Sequence, residues 1–132
     1  QSGDIARANE LQICIWLDGG FREPKQVNAR LRKKALEMNH IPVSQSTFFI
    51  ADTQPVNPLT PPAITRLESV QCPTLIVAGA LDHPELLRAA DEMVKRIPDA
   101  RKVIMDDCGH VPSYEQPIMF VETLLNFLNT VQ

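Results

Sequence analysis

Over its first 57 positions the chain places apolar residues at helical spacing among many polar ones and shows no clear strand, whereas from Leu59 onward strand-length apolar runs alternate with helical stripes. Ile5, Ala8, Gln12 and Ile15 fall near one face of a predicted helix that stops at "LDGG", where two glycines supply a C-terminal signal. Pro24 suits the first turn of a second helix, with Val27, Leu31, Ala35 and Met38 as its apolar stripe. Arg30, Arg32, Lys33 and Lys34 surround that stripe and read as a solvated cationic face.

The breaker-rich "DTQPVNPLTPP" separates the halves, since Pro55, Pro58, Pro61 and Pro62 continue neither a helix nor a central strand. It is predicted to be a hinge or linker. A short helix around Ala63 to Ser69 precedes "CPTLIVAGALD", a continuous apolar run that reads as a strand buried on both faces. An amphipathic helix follows, with Leu86, Leu87, Ala90, Met93, Val94 and Ile97 inward and Pro98 and Asp99 ending it. "ARKVIMDD" is a second strand, and Pro117 opens a terminal helix expected to face Ile118, Val121, Leu124, Leu125 and Leu128 inward. Strand, helix, strand, helix makes a right-handed βαβ unit with a parallel strand pair, an α/β fold.

Composition narrows the functional classes. A length of 132 residues with 44% hydrophobic content is enough for one domain core. The 16 acidic against 13 basic residues are scattered, with no long basic run, so nucleic acid is not an expected partner. No apolar run approaches the roughly 20 residues that span a bilayer, and the first ten residues lack a basic head and apolar core. The expectation is a soluble protein with no membrane partner. Cys14, Cys72 and Cys108 are odd in number and lack C-x-x-C spacing, which points to reduced thiols and a cytoplasmic location. The chain begins at Gln1 rather than at a methionine, which is compatible with a start inside a longer polypeptide.

The candidate chemistry lies where the strands end. In a parallel βαβ unit both strands end at one sheet edge, the edge where open α/β sheets place ligands. Asp82 follows the first strand and His110 the second, so neighbouring strands about 4.8 Å apart would bring residues 28 positions apart within hydrogen-bond reach. A carboxylate on one imidazole nitrogen fixes the tautomer and leaves the other nitrogen as a base. The competing readings are plainer. Asp82 could cap the following helix, and His83, just before Pro84, could be an exposed or lid-contacting residue. Cys108 is read as a packing thiol rather than a nucleophile. Asp82, Asp106, Asp107, Cys108 and His110 match no strong metal-ligand spacing, so Asp106 and Asp107 are expected to end the strand and shape the turn. His40 is read as a polar residue of the first half.

"CPTLIVAGALD" followed by "DDCGHVPSYEQPIMFVETLLNFL" resembles the C-terminal half of the α/β-hydrolase fold superfamily. The shared elements are a Pro-initiated strand ending in G-x-x-D (Gly79 to Asp82), a G-H turn (Gly109, His110) and E-x-P opening the last helix (Glu115 to Pro117). The resemblance implies a helical lid over residues 1–57, more loosely matched, and the C-terminal part of the hydrolase core over 58–132. It also implies a serine nucleophile in G-x-S-x-G on an earlier strand. Ser2, Ser44, Ser46, Ser69 and Ser113 have no flanking glycines at those offsets, so the nucleophile is expected to precede Gln1. On this resemblance Asp82 and His110 are the acid and base of a catalytic triad. No cofactor is needed. The substrate would be a small ester, lactone or related carbonyl compound, although relatives also cleave C–C bonds, amides, epoxides or haloalkanes. The expected partner is the N-terminal half of the same enzyme or a second copy of this chain. The alternative is a non-catalytic fragment, or an assembly or binding module that lacks the nucleophile.

Overall fold

The computed structural model describes residues 3–47 and 60–131. The chain divides into two compact units, Gln1–Val56 and Asn57–Gln132. Most of the proline-rich segment predicted as a linker, up to residue 59, lies outside the described residues.

In the first unit α1 spans Ile5–Trp16 and α2 spans Ala29–Ser44. The Asp4 side chain accepts from the Arg7 N–H at 3.0 Å to start α1, and Asn28 accepts from the Arg30 and Leu31 N–H groups to start α2. These caps satisfy donors that a helix start leaves unpaired. Between the helices, Gly19 (φ 79°) and Gly20 (φ 70°) take the left-handed backbone that glycine adopts without steric cost. Pro24 does not open the second helix, as its position predicts. It starts a single 3₁₀ turn, Pro24–Gln26, and α2 begins only after the Asn28 cap.

The inward face of α1 also differs from expectation. Asn9, Ile13 and Leu17 are buried, at spacings of four, while Ile5 and Ile15 are exposed. A polar residue belongs on this face because α2 satisfies it. Asn9 Nδ2 donates to the Leu36 carbonyl at 2.9 Å, and Asn39 Nδ2 donates to Asn9 Oδ1 and Gln12 Oε1. Arg32 likewise leaves the solvated face assigned to it. Its side chain is 11% exposed and its guanidinium is bonded to Asp18, 1% exposed, at 3.0 to 3.2 Å and to Glu10 at 2.5 Å. A buried carboxylate requires such a partner, and the two acids push the Arg32 proton affinity up further. Beside them, burial and the Asp18 hydrogen bond raise the pKa of the Cys14 thiol.

The second unit runs from a bent 3₁₀ segment, Ala63–Ser69, through β1 (Thr74–Gly79), α3 (Pro84–Arg96), β2 (Ala100–Met105) and α4 (Pro112–Glu115) to α5 (Pro117–Asn129). The two strands are parallel, in register from Thr74 opposite Ala100 to Gly79 opposite Met105. This α/β arrangement of a parallel pair with flanking helices is the predicted one. Alternate β1 residues Ile76 and Ala78 form the core with Ala90 of α3, and Leu87, Met93, Val94 and Ala100 pack around them. The other face of β1 is only half-buried, not fully covered as the apolar run suggests. There Leu75 and Val103 line a groove of about 330 Å³ with Thr123 and Phe127 of α5.

For α5 the predicted inward stripe is wrong. Ile118, Val121, Leu124, Leu125 and Leu128 are all exposed, whereas Phe120, Thr123 and Phe127 are half-buried. The helix is apolar on more than one side, and the sheet takes up the aromatic side. Among the described residues no helix is long and apolar enough to cross a membrane.

Candidate active site

The geometry that joins Asp82 to His110 is built at the end of the sheet. Beyond Gly79 the strand pairing continues, with the Ala80 N–H donating to the Met105 carbonyl and the Leu81 N–H to the Cys108 carbonyl, both at 2.9 Å. The Asp82 N–H turns back to the Gly79 carbonyl at 3.1 Å, which points the chain toward α3. On the facing side, Asp107 takes a left-handed backbone (φ 54°), one of the few side chains that tolerate it. That turn carries Cys108, Gly109 and His110 across the end of β1. It fits only because position 79 has no side chain. A Cβ there would lie 2.1 Å from the Gly109 carbonyl oxygen and 2.3 Å from that of Cys108.

His110 Nδ1 lies 3.0 Å from Asp82 Oδ2 and 3.2 Å from Oδ1. Asp82 is buried, its side chain 8% exposed, and the His83 N–H donates to its Oδ1 at 2.7 Å. The His110 side chain is 40% exposed. A buried carboxylate bonded to one nitrogen of an accessible imidazole holds the ring orientation and favours the tautomer with the proton on Nδ1.

The cap of α3 is His83, whose Nδ1 accepts from the Glu85 N–H at 3.2 Å, so Asp82 is not the capping side chain. His83 itself is exposed. Cys108 is fully buried, its thiol 3.7 Å from Glu115 Oε1 and 3.8 Å from the Gly109 carbonyl oxygen. Asp106 and Asp107 are exposed at the strand end, where Gln116 Nε2 donates to the Asp106 carbonyl. Among the described residues, no group of three or more His, Cys, Asp or Glu side chains is arranged to hold a metal ion.

One contact at this site has no signal in residue type alone. Glu115, at the end of α4, accepts from the Gly109 N–H through Oε1 at 2.7 Å. Its place in E-x-P marks it in the sequence but says nothing of the partner, which lies six positions earlier in the turn.

With this geometry in view, the likeness to known proteins is specific. No family model matches the chain. Over 51 residues it is 41% identical to the pimeloyl-acyl-carrier-protein methyl ester esterase of Aromatoleum aromaticum, covering 39% of this chain and 20% of the relative. Over 63 residues it is 33% identical to RutD of Pseudomonas savastanoi pv. phaseolicola, named provisionally as a carbamate hydrolase, covering 48% of this chain and 24% of the relative. Among solved structures, that of Est816, described as an N-acyl homoserine lactone degrading enzyme, aligns over 96% of this chain and 48% of its own length, with a TM-score of 0.62 and 26% identity. These likenesses are to α/β-hydrolases, whose fold the chain shares. It spans about half the length of the Est816 structure, and its matches span a quarter or less of the curated relatives.

Proposed function

We propose that this chain is the C-terminal part of a serine-type α/β-hydrolase and supplies the acid and base of its catalytic triad. Asp82 orients His110 through Nδ1, so the lone pair available for proton transfer is on Nε2. His110 takes the proton of a serine hydroxyl as that oxygen attacks a carbonyl carbon, then returns it to the leaving group. Water repeats the sequence to release the acid. The observation behind this reading is the 3.0 Å contact between His110 Nδ1 and the buried Asp82 carboxylate at the shared strand edge. The names of the relatives, two referring to esters or lactones and one to carbamates, support a small ester, lactone or related carbonyl substrate. Residues 1–57 would then be the helical lid over that substrate.

The serine and the oxyanion donors would come from polypeptide outside this chain, as the N-terminal half of the same enzyme. Two features support that completion. A two-stranded parallel sheet is smaller than parallel folds ordinarily use, since they cover both faces. In addition, Ile118 is 76% exposed and Leu125 53% exposed on a helix that a larger core would cover. A second copy of this chain is the competing occupant, and sedimentation over a concentration range separates the two.

The test is hydrolysis of an activated ester such as p-nitrophenyl acetate. The 132-residue chain should do no better than free imidazole, because base and orienter without nucleophile and oxyanion hole leave most transition-state stabilisation absent. In the polypeptide that joins it to the completing half, Asp82→Asn should lower turnover by roughly 10⁴-fold, and His110→Ala by at least as much. Turnover in that polypeptide unaffected by His110→Ala would overturn the assignment. Robust turnover by the chain alone would place the nucleophile within it.

A further inference from the structure

We propose that Glu115 is the positioning residue of the site, fixing the turn that presents His110 to Asp82. The His110 side chain has no rigid element of its own. It stands in the turn between β2 and α4, beyond the last ladder pair at Met105. Among the features that hold that turn, three bear on Cys108 and Gly109. The Leu81 N–H bonds the Cys108 carbonyl from the β1 side. The missing side chain at Gly79 lets the Cys108 and Gly109 backbone sit against the strand end. On the opposite side the Glu115 carboxylate accepts the Gly109 N–H at 2.7 Å and lies 3.7 Å from the Cys108 sulfur.

Only the last of these is a charge-assisted bond, and charged acceptors make the stronger hydrogen bonds. It acts on the residue next to His110, where a peptide rotation would swing the imidazole. A contact of 3.0 Å has little tolerance for such a swing. Glu115 is suited to the task because α4 is anchored at its own start by Pro112, and the Glu115 N–H is itself bonded to the Val111 carbonyl at 2.9 Å. The segment between the histidine and the glutamate therefore closes on itself, with the carboxylate returning to the turn from which the segment departed.

The inference rests on the triad reading only for its catalytic consequence, because the contact it protects can be measured in the chain without any activity. The chain has three histidines and five glycines, so selective ¹⁵N-histidine and ¹⁵N-glycine labelling gives resolvable NMR probes. In the wild-type chain His110 should show the Nδ1-protonated tautomer with a downfield Nδ1–H resonance that Asp82→Asn abolishes. Glu115→Gln keeps an oxygen acceptor for Gly109 and should preserve that signature. Glu115→Ala should lose it, with Gly109 amide exchange roughly ten- to a hundredfold faster. If the alanine variant does not fold, Glu115→Asp, one methylene too short for the same bond, takes its place with the same expectation. A signature that survives Glu115→Ala, or that Glu115→Gln destroys as fully as Glu115→Ala, overturns the proposal while leaving the triad reading intact. A wild-type chain without the signature overturns both.

Discussion

Adding one methyl group at Gly79 should disable the site without touching either of its polar residues. A Cβ at this position would meet the Gly109 carbonyl oxygen at 2.1 Å, the Cys108 oxygen at 2.3 Å and the Cys108 carbonyl carbon at 2.6 Å. Ordinary van der Waals contact begins near 3.4 Å. The turn must therefore retreat by about 1 Å, and since the obstructing atoms are backbone, no side-chain rotation can relieve the clash. Moving it lengthens the 2.9 Å bond from the Leu81 N–H to the Cys108 carbonyl, a loss of about 1 kcal/mol. Overpacking adds about 1–3 kcal/mol, so Gly79→Ala should cost about 2–4 kcal/mol in all. Urea denaturation measures this as a midpoint lowered by roughly 1–2 M for a slope near 2 kcal/mol/M. The His110 Nδ1–H resonance should disappear under native conditions. Gly3→Ala is the matched control, because its added Cβ meets nothing within 4 Å. If Gly79→Ala kept its stability within about 0.5 kcal/mol of wild type and retained the resonance, the steric account of the turn would be wrong.

Two further outcomes test the packing of each unit. Arg32→Ala leaves the Asp18 carboxylate, 1% exposed, without its guanidinium partner and should destabilise the first unit by about 3 kcal/mol. Fluorescence of Trp16, the only tryptophan, during urea unfolding reports it. The double variant Arg32→Ala/Asp18→Ala should cost clearly less than the two single costs added, and simple additivity would show that the pair is not coupled. In the second unit the exposed pair of Glu68 with Arg96 gives a pH dependence. Arg96, bonded at 2.6 and 3.0 Å, lowers the pKa of Glu68 from 4.5 to about 2 in the folded chain. As pH falls, the unfolded state therefore binds this proton first. The contribution is fully present above about pH 4.5 and is lost between there and about pH 2. The Tm difference between wild type and Glu68→Gln should shrink over that window, and a constant difference from pH 6 to 2 would refute the linkage.

What the chain determines by itself is the architecture and the meeting of its two principal residues. The apolar run from Thr74 to Gly79, the stripe centred on Ala90 and the second strand before Met105 specify a βαβ unit. Parallel strands end on one edge, so once the unit is recognised, Asp82 and His110 are neighbours. The pattern is informative there because the first strand is an unbroken apolar run of strand length and α3 has one clear apolar side. In α5 it failed, since Ile118, Val121 and Leu125 compete with Phe120 and Phe127 and only the sheet decides which stripe is covered. In the first unit the pattern missed the buried faces for an electrostatic reason. Asn9, Asp18 and Arg32 are polar by composition, and their burial is tolerated only because α1, the glycine turn and α2 bring matching donors and acceptors to them. The Glu115 contact with Gly109 is likewise a product of the folded turn. A hydrogen bond between a side chain and a distant backbone amide leaves no mark on residue type at the amide, because every residue except proline offers that donor.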